Sequence, residues 1–492
     1  MFGLARAPEI DRAGFRWFNV DRPLSLADLR GRFVVLDFWT ACCVNCLHVL
    51  PTLRRLEEAF PDTVAVIGVN SPKYPAEQNA NCLVNAIARH GIRHPVIHDP
   101  ELQLWHDYEI QAWPTLVFID PHGRIMGGLP GEPCAERLIT GIGEMIRRWR
   151  GTRLAPVPLP LRPADTAATA TRFRFPGKIK SAGGSGAGKL WAIADSGNHQ
   201  VVLCDDAGRE VRRFGCGRPG FLDLDAESCA FDGPQGLCCD GAAIYVADTG
   251  NHAIRRIDLA TGAVCTLAGT GERGEVLRRH VRGDGVRLAS PWDLECWGDS
   301  LFFANAGTHQ LGRLGLVTGE LAAIAGDGTE ELADGRATEA RLAQPTGLAL
   351  DRESRVLYFV DSETSSVRSM PLDGHGSVET LVGAGLFESG RRNGDFAQAR
   401  LQHCRGIACL PGKLVVADTY NGALRILDLA NRRVSEVGGD DCRWDNGLRL
   451  TGGEPAGVAA DGGGRLLVAD TNHHRIVEVI TDDPAHARVW AA

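Results

Sequence analysis

The chain has 492 residues, too many for one ordinary hydrophobic core, so two or three domains are expected. Its 44% apolar and 23% charged content is that of a globular protein, and no apolar stretch is long enough to span a bilayer. The net charge is −8, with 16 Lys and Arg against 17 Asp and Glu over residues 1–150 and 37 against 44 over the rest, which speaks against nucleic acid as the main partner.

Residues 1–150 alternate strand-like and helix-like segments. FVVLDFW (33–39) reads as a buried strand. In LHVLPTLRRLEEAF after it, Leu47, Leu50, Leu53, Leu56 and Phe60 recur every three or four residues, the period of an amphipathic helix. VAVIGVN (64–70) is a second strand, and NANCLVNAIARHG (79–91) a helix closed by Gly91. PVIHD, the helix-like ELQLWHDYEI, TLVFID (115–120) with a hairpin through PHGR, and a last helix in EPCAERLITGIGEMIRRWRG complete the alternation. This order predicts an α/β sheet with helices on both faces.

Residues 151–170 break the pattern. Four prolines within eight residues, then small polar residues, predict a semi-rigid linker. From 171 to 485 the chain repeats itself. LWAIADSGNHQVV, IYVADTGNHAIRRI, LFFANAGTHQLGRL, LYFVDSETSSVRSM, LVVADTYNGALRIL and LLVADTNHHRIVEV align on Asp195, Asp248, Asn305, Asp361, Asp418 and Asp470, spaced 53, 57, 56, 57 and 52 apart. Each unit holds about four short strands, which cannot bury a face alone but can do so as six units in a ring, a six-bladed β-propeller. The last unit lacks an obvious fourth strand, so Thr171–Phe175 is expected to supply it and lock the ring, leaving 486–492 as a tail.

The opening residues contain no apolar core of signal-peptide length, which implies a cytoplasmic protein if that start is complete. Fifteen cysteines, odd in number and scattered, are then expected to be mostly free thiols used as small apolar residues. The exception is Cys43-Val44-Asn45-Cys46, a CxxC at the start of a helix in an α/β domain. A zinc knuckle would need a second ligand pair, which the chain lacks, so no metal is expected. A sulfur at a helix N-terminus meets the positive end of the dipole and unpaired N–H groups, which favour its ionised form. Cys43 is thus the expected nucleophile, and Cys46, one turn further in, the resolving thiol. Asp37, six residues before Cys43 on the first strand, is expected to be buried and to take the proton from Cys46. Trp113-Pro114-Thr115 precedes the strand TLVFID, where a cis proline would bring extended backbone close to the dithiol.

These residues also carry a resemblance. FW-x-x-x-C-x-x-C-x-x-x-x-P, beginning at Phe38-Trp39, the Asp six before the first cysteine, and W-P-T before V-F-I-D-P-x-G are similar to a thioredoxin fold. The segment from VIGVNSPKYP to QAWPT resembles the TlpA, ResA and peroxiredoxin-like branch, and ADTGNHAIRRI resembles NHL repeats. With the CC-x-NC of 42–46, the whole chain resembles the NHL repeat-containing protein 2 family. That family often carries a further C-terminal β domain, for which 492 residues leave no room. The resemblance implies thiol–disulfide chemistry at Cys43 and Cys46 through their own disulfide, with no other cofactor, Pro114 as the cis proline and Asp37 as the buried acid. Val44-Asn45 stand where thioredoxin has Gly-Pro, Cys42 where it has tryptophan, and Trp113 is bulkier than the usual residue before the proline. A peroxiredoxin activity is not expected, because the P-x-x-x-T/S-x-x-C setting is absent around Cys43.

Cys42 reads either as a competitor for Cys46 or as a small apolar residue in the tryptophan's place. His48 reads either as a promoter of thiolate character or as a helix-surface histidine. In the propeller, His199, His252, His309 and His474 stand four residues after their anchors. They suggest hairpin side chains pinned by local hydrogen bonds, with a metal-dependent propeller lyase as the weaker alternative. Cys238, Cys239, Cys404 and Cys409, in or near inner strands, read as packing. GTGERG (269–274) matches GxGxxG, but it follows a propeller strand with no βαβ unit, so no dinucleotide site is expected. Glycine-rich stretches at 269–290, 326–345, 383–403 and 438–454 are expected to be loops where a partner would bind. The function expected is a thiol–disulfide oxidoreductase whose propeller holds a protein client, supplied with electrons by a donor such as a thioredoxin system. A non-catalytic redox-sensing or scaffold protein is the alternative.

Overall fold

The computed structural model describes residues 5–149, 159–162, 171–184, 188–277, 281–282, 285–372, 376–437, 444, 447–481 and 483–492. The chain divides into two units, residues 1–168 and 169–492. Apart from 159–162, where Leu161 bridges Val20 of the first unit, the expected linker lies outside the described residues.

The first unit is an α/β domain built on one mixed sheet. It runs β1 (Arg16–Phe18), β2 (Phe33–Trp39), α1 (Val44–Ala59), β3 (Val64–Asn70), α2 (Ala80–His90), β4 (Val96–His98), α3 (Gln103–Asp107), β5 (Thr115–Ile119), β6 (Ile125–Pro130) and α4 (Ala135–Arg148). One sheet has the order β1-β4-β3-β2-β5-β6, with β2, β3 and β4 parallel and the others antiparallel to their neighbours. Central strands covered on both faces read as unbroken apolar runs, and every residue of β2 and β3 is buried. Along β2, Val34, Leu36 and Phe38 enter one core with Ile10, Leu24 and Ile67. Phe33 and Val35 pack instead against Leu53 and Leu56 of α1 and Ile142 of α4. The strand's period of two therefore turns Asp37 and Trp39 toward the α1 side. Asn79 caps α2, its side chain accepting from Asn81 N–H, and Gly91 ends the helix at φ 60°, a left-handed position that glycine adopts without strain.

The second unit is a six-bladed propeller. The innermost strands of blades I to VI are Pro176–Gly183, Gly236–Cys239, Pro291–Trp297, Pro345–Asp351, Gly406–Leu410 and Pro455–Ala460. Each begins a four-stranded antiparallel meander. In blades III, IV and V a two-residue strand (Val281–Arg282, Gly335–Arg336 and Gly394–Asp395), lying within three of the expected loops, adds a fifth edge. Of the expected loop 438–454, residues 438–443 and 445–446 lie outside the described residues.

Ring closure differs from the expectation. Asp483–Ala491 pairs with Arg475–Ile480 as the outer strand of blade VI, so the supposed tail is part of the sheet and Thr171–Phe175 is not a strand. A hairpin to the adjacent strand closes a far shorter loop than pairing across the whole unit. Residues 171–175 still tie the ends, through packing. Phe173 sits with Trp191, Ile476 and Trp490, and the Phe175 N–H donates to His474 Nδ1 at 3.1 Å. Lys178 of blade I donates its ammonium to the carbonyls of Arg405 and Ala456 in blades V and VI.

The blade histidines follow the same rule, across seams rather than locally. Nδ1 of His199, His252 and His309 accepts the backbone N–H of Gly233, Ser290 and Gln344 of the next blade, each at 3.0 Å. Ser365 Oγ takes that place toward His403 N–H. The anchors likewise accept from the chain arriving at the blade, rather than from the hairpin turn alone: Asp195, Asp248, Asp361 and Asp418 take the N–H of Arg174, Asp232, Ala343 and Gln402 at 2.7 to 2.8 Å.

Candidate active site

Where β2 ends, the chain turns into α1 with Cys43 as its N-cap. Cys43 Sγ accepts the Cys46 N–H at 3.4 Å, so the sulfur takes one of the amides that a helix start leaves unpaired. Cys43 is half-buried, whereas Cys46 is fully buried in a cluster with Trp39, Leu50, Leu83 and Ile87. Both are free thiols. One sulfur faces outward on the amide ends, and its mate lies one turn below, in apolar surroundings.

Beneath them Asp37 is completely buried, and neither carboxylate oxygen has a hydrogen-bond partner among the described residues. Burial pushes its pKa up to about 7, against a smaller opposite pull from His94. The Cys46 thiol is raised well above its ordinary value, by burial first, then by its hydrogen bond and charge interaction with Cys43, and also by the field of Asp37. An acid pushed up to neutrality next to a thiol that ionises only with difficulty is an arrangement able to exchange a proton.

The remaining expected residues fall as follows. The peptide bond Trp113–Pro114 is cis, and β5 starts directly after it with Thr115 opposite Phe38, so Pro114 borders the end of β2. The Trp113 indole donates to Ser71 O at 2.9 Å, stacks on Trp105 with centroids 4.1 Å apart, and packs on the cluster that holds Cys43 and Cys46. Trp39 is fully buried in that cluster, a support for Cys46 and not a surface for a client. His48 is tied through Nδ1 to Glu132 at 3.0 Å, ahead of α4, and is only partly exposed, unlike a free helix-surface histidine. Cys42 is buried at 1% exposure, its sulfur 3.6 Å from Thr40 Oγ1.

One residue of the site had no signal in its own neighbourhood. Glu77, 2% exposed, accepts from Thr40 Oγ1 at 2.7 Å and Cys42 N–H at 3.2 Å with one oxygen, and from the N–H groups of Lys73 and Tyr74 with the other. It pins the turn that carries the dithiol to the loop after β3. Only a buried-carboxylate reading of YPAEQ could have pointed to it, and its partners lie 35 and 37 residues upstream.

A thioredoxin-like family model matches residues 31–125, and an NHL repeat model matches 453–478. NHL repeat-containing protein 2 of Gallus gallus is 35% identical over 509 aligned residues, covering 95% of this chain and 69% of that protein. The chloroplastic protein SUPPRESSOR OF QUENCHING 1 of Arabidopsis thaliana is 34% identical over 481 residues, 94% of this chain and 45% of its own. Thiol-disulfide oxidoreductase ResA of Bacillus thuringiensis is 26% identical over 117 residues, 24% of this chain and 65% of its own.

Proposed function

Because the chain belongs to the family of NHL repeat-containing protein 2, joining a thioredoxin-like domain to an NHL propeller, we propose that it is a cytoplasmic thiol–disulfide oxidoreductase whose propeller holds a protein client. The observation that carries this reading is the layered trio: half-buried Cys43 on the helix amides, buried Cys46 beneath it, and Asp37 with no hydrogen-bond partner among the described residues. The name of the Bacillus relative supports it over the thioredoxin-like part.

The Cys43 thiolate attacks one sulfur of the client disulfide, forming a Cys43–client bond and expelling the other client sulfur as a thiolate. Cys46 then gives its proton to the Asp37 carboxylate and attacks Cys43 Sγ. That step releases the second client thiolate and leaves the Cys43–Cys46 disulfide. The client is reduced by two electrons, and an external dithiol donor, such as a thioredoxin system, returns two electrons to the enzyme. The cytoplasmic placement rests on cysteine usage, an odd number spread over a large chain.

The test is reduction of a model disulfide by the full chain. Cys43→Ser is expected to abolish turnover, and Cys46→Ser to stop after the first step with the client covalently held. Undiminished turnover in Cys43→Ser would refute the assignment.

A further inference from the structure

The propeller contains a second group of thiols, remote in sequence from the CxxC. Near the axis of the ring a cavity of about 230 Å³ is lined by Cys238, Cys239, Cys296 and Cys409 together with Lys180 and Glu295. Cys238 and Cys239 end the innermost strand of blade II, Cys296 lies on that of blade III and Cys409 on that of blade V. The strands of blades II and III touch at this seam: a Cβ on Gly236 would lie 2.4 Å from Trp292 O. Across it the Cys296 thiol donates to the carbonyl of Cys239 at 3.1 Å, and Cys296 and Cys238 lie together in one buried cluster on the cavity wall. Packing accounts for one cysteine at such a place. It does not account for two thiols facing each other across a blade seam on the wall of a cavity.

We propose that Cys238 and Cys296 form a second redox site, which closes to a disulfide between blades II and III when a small peroxide enters the cavity. The Cys296 thiolate attacks the O–O bond, giving a sulfenic acid on Cys296 and hydroxide. The Cys238 sulfur then attacks the sulfenic sulfur, forming the S–S bond and releasing water. Two thiols lose two electrons and one peroxide is reduced to two molecules of water. The hydrogen bond from Cys238 holds the Cys296 thiol below its ordinary pKa, which favours Cys296 as the attacking sulfur, while burial and the same contact push Cys238 up. The cavity is walled by the innermost strands of the blades, which favours a small oxidant such as hydrogen peroxide over a bulky peptide disulfide. The site is therefore separate in chemistry from the client site of the first unit.

The test uses the full-length Cys43→Ser/Cys46→Ser protein, which silences the first dithiol. After treatment with hydrogen peroxide and alkylation, non-reducing peptide mapping should show a Cys238–Cys296 link, reversed by dithiothreitol. Cys238→Ser should instead leave a sulfenic acid on Cys296, trapped by dimedone. Glutathione disulfide, far bulkier than peroxide, should form the link at least about ten-fold more slowly at equal concentration. Should a variant fail to fold, the same mapping on the unsubstituted chain decides the matter. Absence of the link, pairing of Cys239 or Cys409 in its place, or equal rates with both oxidants would overturn the proposal.

Discussion

Asp37→Asn separates stability from catalysis. The substitution keeps the shape of the side chain and removes the charge. In the folded protein the Asp37 pKa stands at about 7, against 3.8 for an unburied aspartate. The folded state therefore keeps a proton that the unfolded chain surrenders from pH 4 upward. Its contribution to stability is whole below about pH 4, shrinks through the window from 4 to 7 and is absent above it. Three pH units at about 1.4 kcal/mol each give a loss of about 4 kcal/mol across that window. The asparagine variant lacks this slope, and every other carboxylate cancels in the comparison. Native-state hydrogen exchange at the β2 and β3 amides of the full chain, followed from pH 4 to 8, reads opening of the first unit by itself. The two profiles should diverge by about 4 kcal/mol toward pH 7 and run parallel above it, with the variant the more stable. The same variant should resolve the mixed disulfide on the order of 100-fold more slowly, while attack by Cys43 is unchanged. Profiles parallel throughout to within about 0.5 kcal/mol would show that Asp37 ionises normally when folded, and the proton-transfer role would fall with it.

Two further substitutions probe the framework. Glu77→Ala leaves four buried donors, among them Cys42 N–H and Thr40 Oγ1, without their carboxylate; unfolding of the first unit should lose at least about 3 kcal/mol, and alkylation of Cys43 and Cys46 should quicken as the turn loosens. Arg255→Leu strands the buried Asp248 carboxylate and should cost the propeller about 3–5 kcal/mol in denaturant unfolding, with Asp248→Asn in the same chain restoring part of the loss. A double variant weaker than the single one would show that charge pairing is not what this anchor does.

The sequence shows what is periodic or local. The α/β alternation, the six anchors, the CxxC at a helix start and the Trp113–Pro114 step all sit in short windows, and the structure places them as read. What escaped involves partners set by the fold. Glu77 meets Thr40 and Cys42 only because β3 lies parallel beside β2. The seam histidines look like hairpin residues until the next blade is in place. Asp483–Ala491 was missed as a strand because its alternation is weak, with a proline and small alanines among polar residues from Asp483 to Arg488 and exposed Val489 beside buried Trp490.

The anchors also explain why Asp37 matters. The buried anchor carboxylates of the propeller come with a cation: Asp195 with Arg213, Asp248 with Arg255, Asp361 with Arg368, Asp418 with Arg425 and Asp470 with Arg475. In blades II, IV and V that arginine stands seven residues after the anchor; in blade III the same position is Gly312, where a Cβ would run into the Phe303 ring. There the anchor is Asn305, neutral, and it bonds Thr308 instead. At the anchor position a buried charge thus stands where a counter-charge is built and is absent where none fits, as the cost of an unpaired buried ion requires. Asp37 breaks this rule within the same chain. It is as deeply buried as the anchors, with no arginine and no hydrogen bond to either oxygen among the described residues. Its field acts on the buried Cys46 thiol, the group with which the proposed mechanism has Asp37 exchange a proton.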